Sequence, residues 1–289
     1  MTSATAAASR ATSIDGALRA VSLRRPLIAA CLLASVALLA PWLSPVPPNA
    51  IPTDGLITAL PPSLTHPFGT DPLGRDVLSR VLHGARVSLG IGVASVLLML
   101  GVGGGVGALA GWCGGAIDTI LMRSVDVLLA IPRLLLLLVV TALWDTLPLT
   151  GLVLLLGLTG WYDVARLVRA EVRTLRTRDF ILAAQSLGVG AWRIVWRHVT
   201  PHLGGTLLVM GTLGIANAIA IEAGLSFLGL GVQPPQASWG TILGDGHVPG
   251  GGRWWLTVFP GLAVVTAVLT ANALADALRH RFASTQVGA

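Results

Sequence analysis

The 289-residue chain contains no lysine, and all 19 of its basic residues are arginine. That absence excludes the lysine of a Walker A phosphate loop and the lysine of a Schiff-base nucleophile, so any ATP must bind another polypeptide. Cysteine is almost as scarce. Cys31 and Cys113 provide neither a disulfide framework nor metal-ligand spacing. Charged residues make up 11% of the chain, against about 25% in ordinary soluble domains, whereas 54% are hydrophobic. With a mean hydropathy of +0.78, the solvent that suits this composition is a bilayer.

Catalytic groupings are also missing. Histidines 66, 83, 198, 202, 247 and 280 are scattered, with no HExxH and no close acidic cluster, which argues against metal catalysis. The stretch GTDPLGRD carries two carboxylates but lacks the alternating oxygen ligands of a calcium loop, and it reads as capping and loop chemistry. GLSFLG is not a GxSxG elbow. The chain is therefore read as a non-enzyme that holds no cofactor or metal. A net charge of +6 and a pI near 11.1 would suit nucleic acid. The arginines instead gather beside apolar segments, as the positive-inside rule requires, and no soluble basic domain remains to bind nucleic acid.

Six apolar segments meet or approach the roughly 20 residues needed to cross a bilayer core. They are Leu27–Leu43, Ser88–Trp112, Ile120–Trp144, Leu147–Val164, Leu203–Leu230 and Trp255–Leu274. Backbone groups in lipid must be satisfied within the segment, so each is expected to be a helix. Residues 1–25 resemble a signal-peptide n-region, but no cleavage site follows Ala40, where the chain runs into PWLSPVPP. This predicts an uncleaved first span over 26–43 behind a cytoplasmic N-terminal segment. The arginine distribution then places both termini in the cytoplasm.

Domain boundaries follow from this topology. An extracytoplasmic loop over 44–85 precedes a five-helix core over 86–281, and a tail covers 282–289. The loop opens with prolines. At Asp71-Pro72 it offers a helix start whose Val77, Leu78, Val81, Leu82 and Ala85 share a face, which predicts a short helix on the outer surface. A second outer connection, Gly231 to Arg253, is rich in turn residues and reads as a lid or docking loop.

Among the polar residues within the spans, three stand out. Glu222 lies in the fifth and is read either as a pathway or gate residue near the outer half or as a structural pair with an arginine or a helix end. Asn217 is read as an interhelical hydrogen-bond former that can also line the pathway. Arg133 is expected to pair toward Asp126 or to snorkel, with substrate binding as the competing reading.

Between the fourth and fifth spans lies a polar island, 166–201, with seven arginines. Asp179 is a candidate N-cap, and Phe180, Ala184 and Leu187 fall on one helical face. Gly188 and Gly190 break that helix, and a second carries Trp192, Ile194, Val195 and Val199 toward Pro201. A compact knob results, whose small pair Ala183 and Ala184 admits a close partner.

The island resembles the EAA loop of ABC-importer permeases, matching at Ala183, Ala184, Gly188 and Pro201 and departing at Leu182, His198 and Thr200. The stretches HPFGTDPLGRDVLSRVLHGARVSLGIG, AGWCGGAIDTILMRSVDVLLAIP, EAGLSFLGLGVQPPQASWGTIL and NALADALR are similar to the peptide/nickel subfamily of these permeases. The resemblance implies an all-α transmembrane protein with the six-helix type I importer permease fold and a cytoplasmic EAA-loop coupling helix, set in a bacterial inner membrane. It implies a second homologous permease, two cytoplasmic ATPases that carry ATP and magnesium, and an extracytoplasmic substrate-binding protein. It makes Asp179, Ala183, Ala184, Gln185, Gly188 and Pro201 the ATPase-coupling residues and di- or oligopeptides the expected cargo. Nickel chelates or haem are alternatives on the same architecture. A secondary transporter that uses Glu222 for proton coupling is a different reading; the sequence shows no obvious inverted repeat, and that reading leaves the knob unexplained.

Overall fold

The computed structural model describes residues 23–52, 59–144, 147–247 and 252–287. Nearly all of the expected N-terminal segment lies outside these residues, as do residues 248–251 of the second outer loop. Among the described residues the regular structure is helical, apart from one bridge between Thr70 and Asp76. Four helices are long and apolar enough to span a membrane, and two bent pairs raise the number to six.

Helix α1, Arg24–Leu43, exposes Leu27, Ile28, Leu32, Leu38 and Leu39, and buries Ala37 and Ala40. A helix apolar on its exposed face needs lipid around it. Helix α2, Val77–Cys113, has 37 residues, or about 55 Å at 1.5 Å per residue. This corrects the expected surface helix: Val77–Ala85 is the first part of α2 and runs unbroken into the second span. The start is set by Asp76, whose side chain accepts the Ser79 N–H at 2.8 Å, and not by Asp71.

The third span is broken. Helix α3, Gly115–Leu129, and α4, Arg133–Leu143, meet at 74° around Ala130–Pro132. Pro132 has no N–H to give and biases the residue before it away from helix. The fourth span is also bent, by 40°, between α5, Leu149–Leu158, and α6, Trp161–Arg176.

Helix α6 lies directly on α2. A Cβ on Gly103, Gly107 or Gly111 would meet the Trp161, Ala165 or Arg169 carbonyl oxygen at 2.6, 2.5 and 2.8 Å. Val164, Val168 and Val172, at the same spacing of four, fill the facing positions. Small residues every fourth position let two membrane helices approach at backbone distance.

The remaining elements are α7, Asp179–Ser186; α8, Ala191–Ile194; a π turn, Val195–Val199; α9, Thr200–Phe227; α10, Trp239–Gly246; and α11, Trp255–Val287. Residues Ala191–Phe227 form one continuous helical run. The second knob helix and the fifth span are therefore a single rod. Helix α11 likewise continues through most of the expected tail, to Val287.

Candidate functional site

The arginine-rich end of the bundle carries the knob. Helix α7 ends in a paired turn: Val189 N–H donates to Ala184 O at 3.1 Å, and Gly188 N–H donates to Gln185 O at 2.9 Å. Gly188 sits between them at φ +76°. This is the Schellman arrangement, which needs a left-handed residue just past the helix. Asp179 is the first helical residue rather than the N-cap, a position held by Arg178. A carboxylate there still favours the helix dipole.

The inward face of α7 also differs from the expected one. Ile181 is fully buried against the cluster formed by Val172, Ile194 and Val199, and Ala184 packs at its edge. Phe180, Leu182 and Leu187 are exposed, Leu187 by 83%, as are Trp192 and Trp196. Ala183 and Gln185 are exposed too, and Gln185 borders a hollow of about 230 Å³ with Trp112 and Arg176. The knob thus presents an apolar surface on a polar island. Pro201 stands on the rod just beyond the π turn. There Thr200 N–H and Oγ1 both donate to Val195 O, the hydroxyl at 3.0 Å. Widening the helix at this point accommodates a proline that has no N–H and whose ring crowds the preceding turn.

Arg133 and Asp126 do not pair. Arg133 Nη2 donates to Leu156 O at 2.9 Å, and its Nε donates to Thr159 Oγ1 at 3.3 Å. The arginine freed at one broken span thereby satisfies a carbonyl at the break in the next. Asp126 pairs instead with Arg166, and Asp118 takes Arg169, with Nη2 to Oδ2 at 2.6 Å.

Near the opposite end, Glu222 is fully buried. Ser88 Oγ donates to its Oε2 at 2.8 Å, and Ser226 Oγ donates to its Oε1 at 2.7 Å. Each serine oxygen in turn accepts a backbone N–H, from Trp239 at 3.3 Å and from Val232 at 3.0 Å. The Trp239 indole N–H donates to Val81 O at 3.0 Å. Among the described residues Glu222 pairs with no arginine, which corrects the expected arginine pair, and its oxygens face serines inside the bundle, one of which accepts the N–H at the start of α10. It ties α2, α9 and α10 together. Asn217, by contrast, is exposed on α9.

The loop before α2 folds around Asp71, which is fully buried. Its carboxylate accepts the Leu73 and Arg75 N–H groups at 2.8 and 3.0 Å and the Arg75 Nε–H at 2.6 Å, and it also pairs with Arg80. Arg80 bridges onward to Asp245 of α10 at 2.6 Å. Capping and loop closure are thus the work of the GTDPLGRD carboxylates. Asp245 was the part invisible in sequence, lying 165 positions from Arg80. Among the described residues no group of three His, Cys, Asp or Glu side chains could hold a metal.

Apolar spans closed by a glycine seam, a polar knob at one end and folded loops at the other define a multi-pass membrane permease. The chain belongs to the family of binding-protein-dependent transport system inner membrane components, whose pattern matches residues 103–284. It is similar to a putative peptide transport system permease of Brucella suis biovar 1, with 39% identity over 262 residues, 91% of this chain and 87% of the relative. A putative peptide permease of the same organism is 40% identical over 248 residues, 83% of this chain and 79% of that protein. The dipeptide transport system permease of Bacillus subtilis is 38% identical over 247 residues, 84% of this chain and 76% of that protein.

Proposed function

We propose that the chain is one half of the translocation pathway of an ATP-driven peptide importer. A second, homologous permease supplies the other half, two cytoplasmic ATPases drive it, and an extracytoplasmic binding protein delivers the substrate. The names of its relatives favour peptides as cargo. ATP and magnesium belong to the partner ATPases, and this chain performs no catalysis of its own. Both termini and the knob lie in the cytoplasm, in keeping with the arginine excess at that end.

One observation carries the coupling role. At the arginine-rich end Leu182 of α7, Leu187 at its C-cap and Trp192 of α8 are exposed, while Ile181 anchors α7 to the rod that becomes α9. An apolar surface among charges is a docking surface. Leu182, where the EAA pattern has glutamate, adds apolar contact there, and Asp179 and Gln185 supply the polar contacts. Because Ala191–Phe227 is continuous, displacement of the knob moves the span itself. Asn217 faces outward from that span toward the second permease and the pathway.

Replacing Gly188 by valine tests the coupling. A β-branched residue at φ +76° is strained by about 1–2 kcal/mol or more, although its side chain would point into open space. The assembled complex is expected to keep its ATPase activity while ATP-dependent uptake into proteoliposomes falls at least about tenfold. Normal uptake by Gly188→Val would exclude this coupling geometry.

A further inference from the structure

Near the loop end two arginines, Arg86 and Arg253, have no carboxylate partner among the described residues, and Arg86 borders a cavity. Arg75 and Arg80 are held by Asp71 and Asp245, Asp76 takes His66, and Glu222 is occupied by two serines. Arg86 is exposed on α2, and no ion pair or hydrogen bond is formed by it among the described residues. It borders a cavity of about 790 Å³ between α2, α5 and the two outer loops. The other polar side chains around that cavity are Asn49, His83, Thr150 and Gln236, and no acid is among them. The His83 Nδ1–H donates to Ser79 O at 3.0 Å, which leaves Nε2 free to accept. An exposed guanidinium without a carboxylate partner, at the edge of a partly apolar cavity, is available to pair with an anionic ligand.

We propose that this cavity is a substrate subsite in which Arg86 receives the C-terminal carboxylate of a peptide. The assignment rests on the peptide-import reading above. A planar guanidinium matches a carboxylate through two parallel N–H donors. The neutral amides and hydroxyl around it suit the peptide backbone, and His83 Nε2 can accept a peptide N–H. The volume accommodates a short peptide, in the range of ordinary ligand pockets. Arg86 also borders an apolar groove of about 420 Å³ on the side of α1, α9 and α11, so a lipid phosphate is the competing occupant. The polar lining lies on the outer-loop side, which favours a water-borne ligand.

The test compares a short peptide bearing a free C-terminal carboxylate with its C-terminal amide, using the wild-type importer, Arg86→Gln and Arg86→Lys. Binding of N-terminally fluorescent peptides is measured by anisotropy on the assembled complex, without binding protein, in nanodiscs of neutral phosphatidylcholine. ATP-dependent uptake is measured in proteoliposomes with binding protein present. The wild type should prefer the acid over the amide by about tenfold or more, the scale of a charge-assisted hydrogen bond. Arg86→Gln should bring that ratio close to one, and Arg86→Lys should keep part of it. An acid-to-amide ratio unaffected by Arg86→Gln overturns the subsite and leaves the importer reading intact. A loss shared equally by acid and amide, and varying with added anionic lipid, assigns Arg86 to a lipid phosphate and also overturns it. Arg86-dependent binding without ATP-dependent wild-type uptake would instead defeat the importer reading while the carboxylate site stands.

Discussion

At Glu222, two serine hydroxyls take the place of a counter-ion. Ser88 and Ser226 each donate to one carboxylate oxygen and each accept a backbone N–H, so four groups from α2, α9, α10 and the preceding loop are satisfied at once. Glutamine keeps the shape but turns one acceptor oxygen into a donor. One serine hydroxyl then loses its acceptor, and an unsatisfied buried donor costs about 1–3 kcal/mol. Glu222→Gln is therefore expected to lower the melting temperature and yield of the assembled complex, and to reduce uptake of matched cationic and neutral peptides in equal proportion. Selective loss of the cationic peptide by a stable variant would return Glu222 to the pathway. The sequence marks Glu222 as exceptional, because a carboxylate in a span needs a partner. It does not identify Ser88, 134 positions away, since serine in an apolar helix carries no signal of what it faces.

Between α2 and α6, the glycines of GVGGGVGALAG are not equivalent. Gly107 has the Ala165 carbonyl oxygen 2.5 Å and Val168 Cβ 2.9 Å from where a methyl would stand, whereas Gly105 has nothing within 4 Å. Gly107→Ala should force the two helices apart, with a penalty of about 1–3 kcal/mol typical of overpacking. Gly105→Ala should be nearly neutral. Thermal unfolding of the purified permease in detergent checks both, and equal effects would mean that the seam is set elsewhere. Close helix approach was legible in the glycine content, but its phase was not, because the matching Val164, Val168 and Val172 lie on a segment read partly as span and partly as island. The bends were hidden for a related reason: an apolar average reports neither a proline break nor the arginine that caps the neighbouring one. The merging of the surface helix with α2 turned on which of two nearby aspartates capped it, Asp71 or Asp76, and only the folded loop distinguishes them.

For the molecule as a whole, composition and arginine placement made the helical, multi-pass architecture readable, because lipid leaves few solutions for a backbone. The ordered peptide-permease-like stretches pointed to the family. The apolar surface of the knob and the unpaired Arg86 became visible only when the described helices were placed against one another. Sidedness can be tested with the two native thiols. Cys113 is exposed at the end of α2, near Trp112 and the Arg176 that donates to its carbonyl, and Cys31 is exposed on α1. Leu64, in the loop before α2, is fully exposed. In a Cys31→Ala background, a membrane-impermeant maleimide should label Cys113 in inside-out vesicles and leave it at background in right-side-out ones. With both native cysteines replaced by alanine, Leu64→Cys should show the reverse. Labelling of the two positions from the same side would mean that α2 does not cross the bilayer. A fully inverted pattern would place helix α7 outside the cell, beyond the reach of any cytoplasmic ATPase, and the coupling role would fall with it.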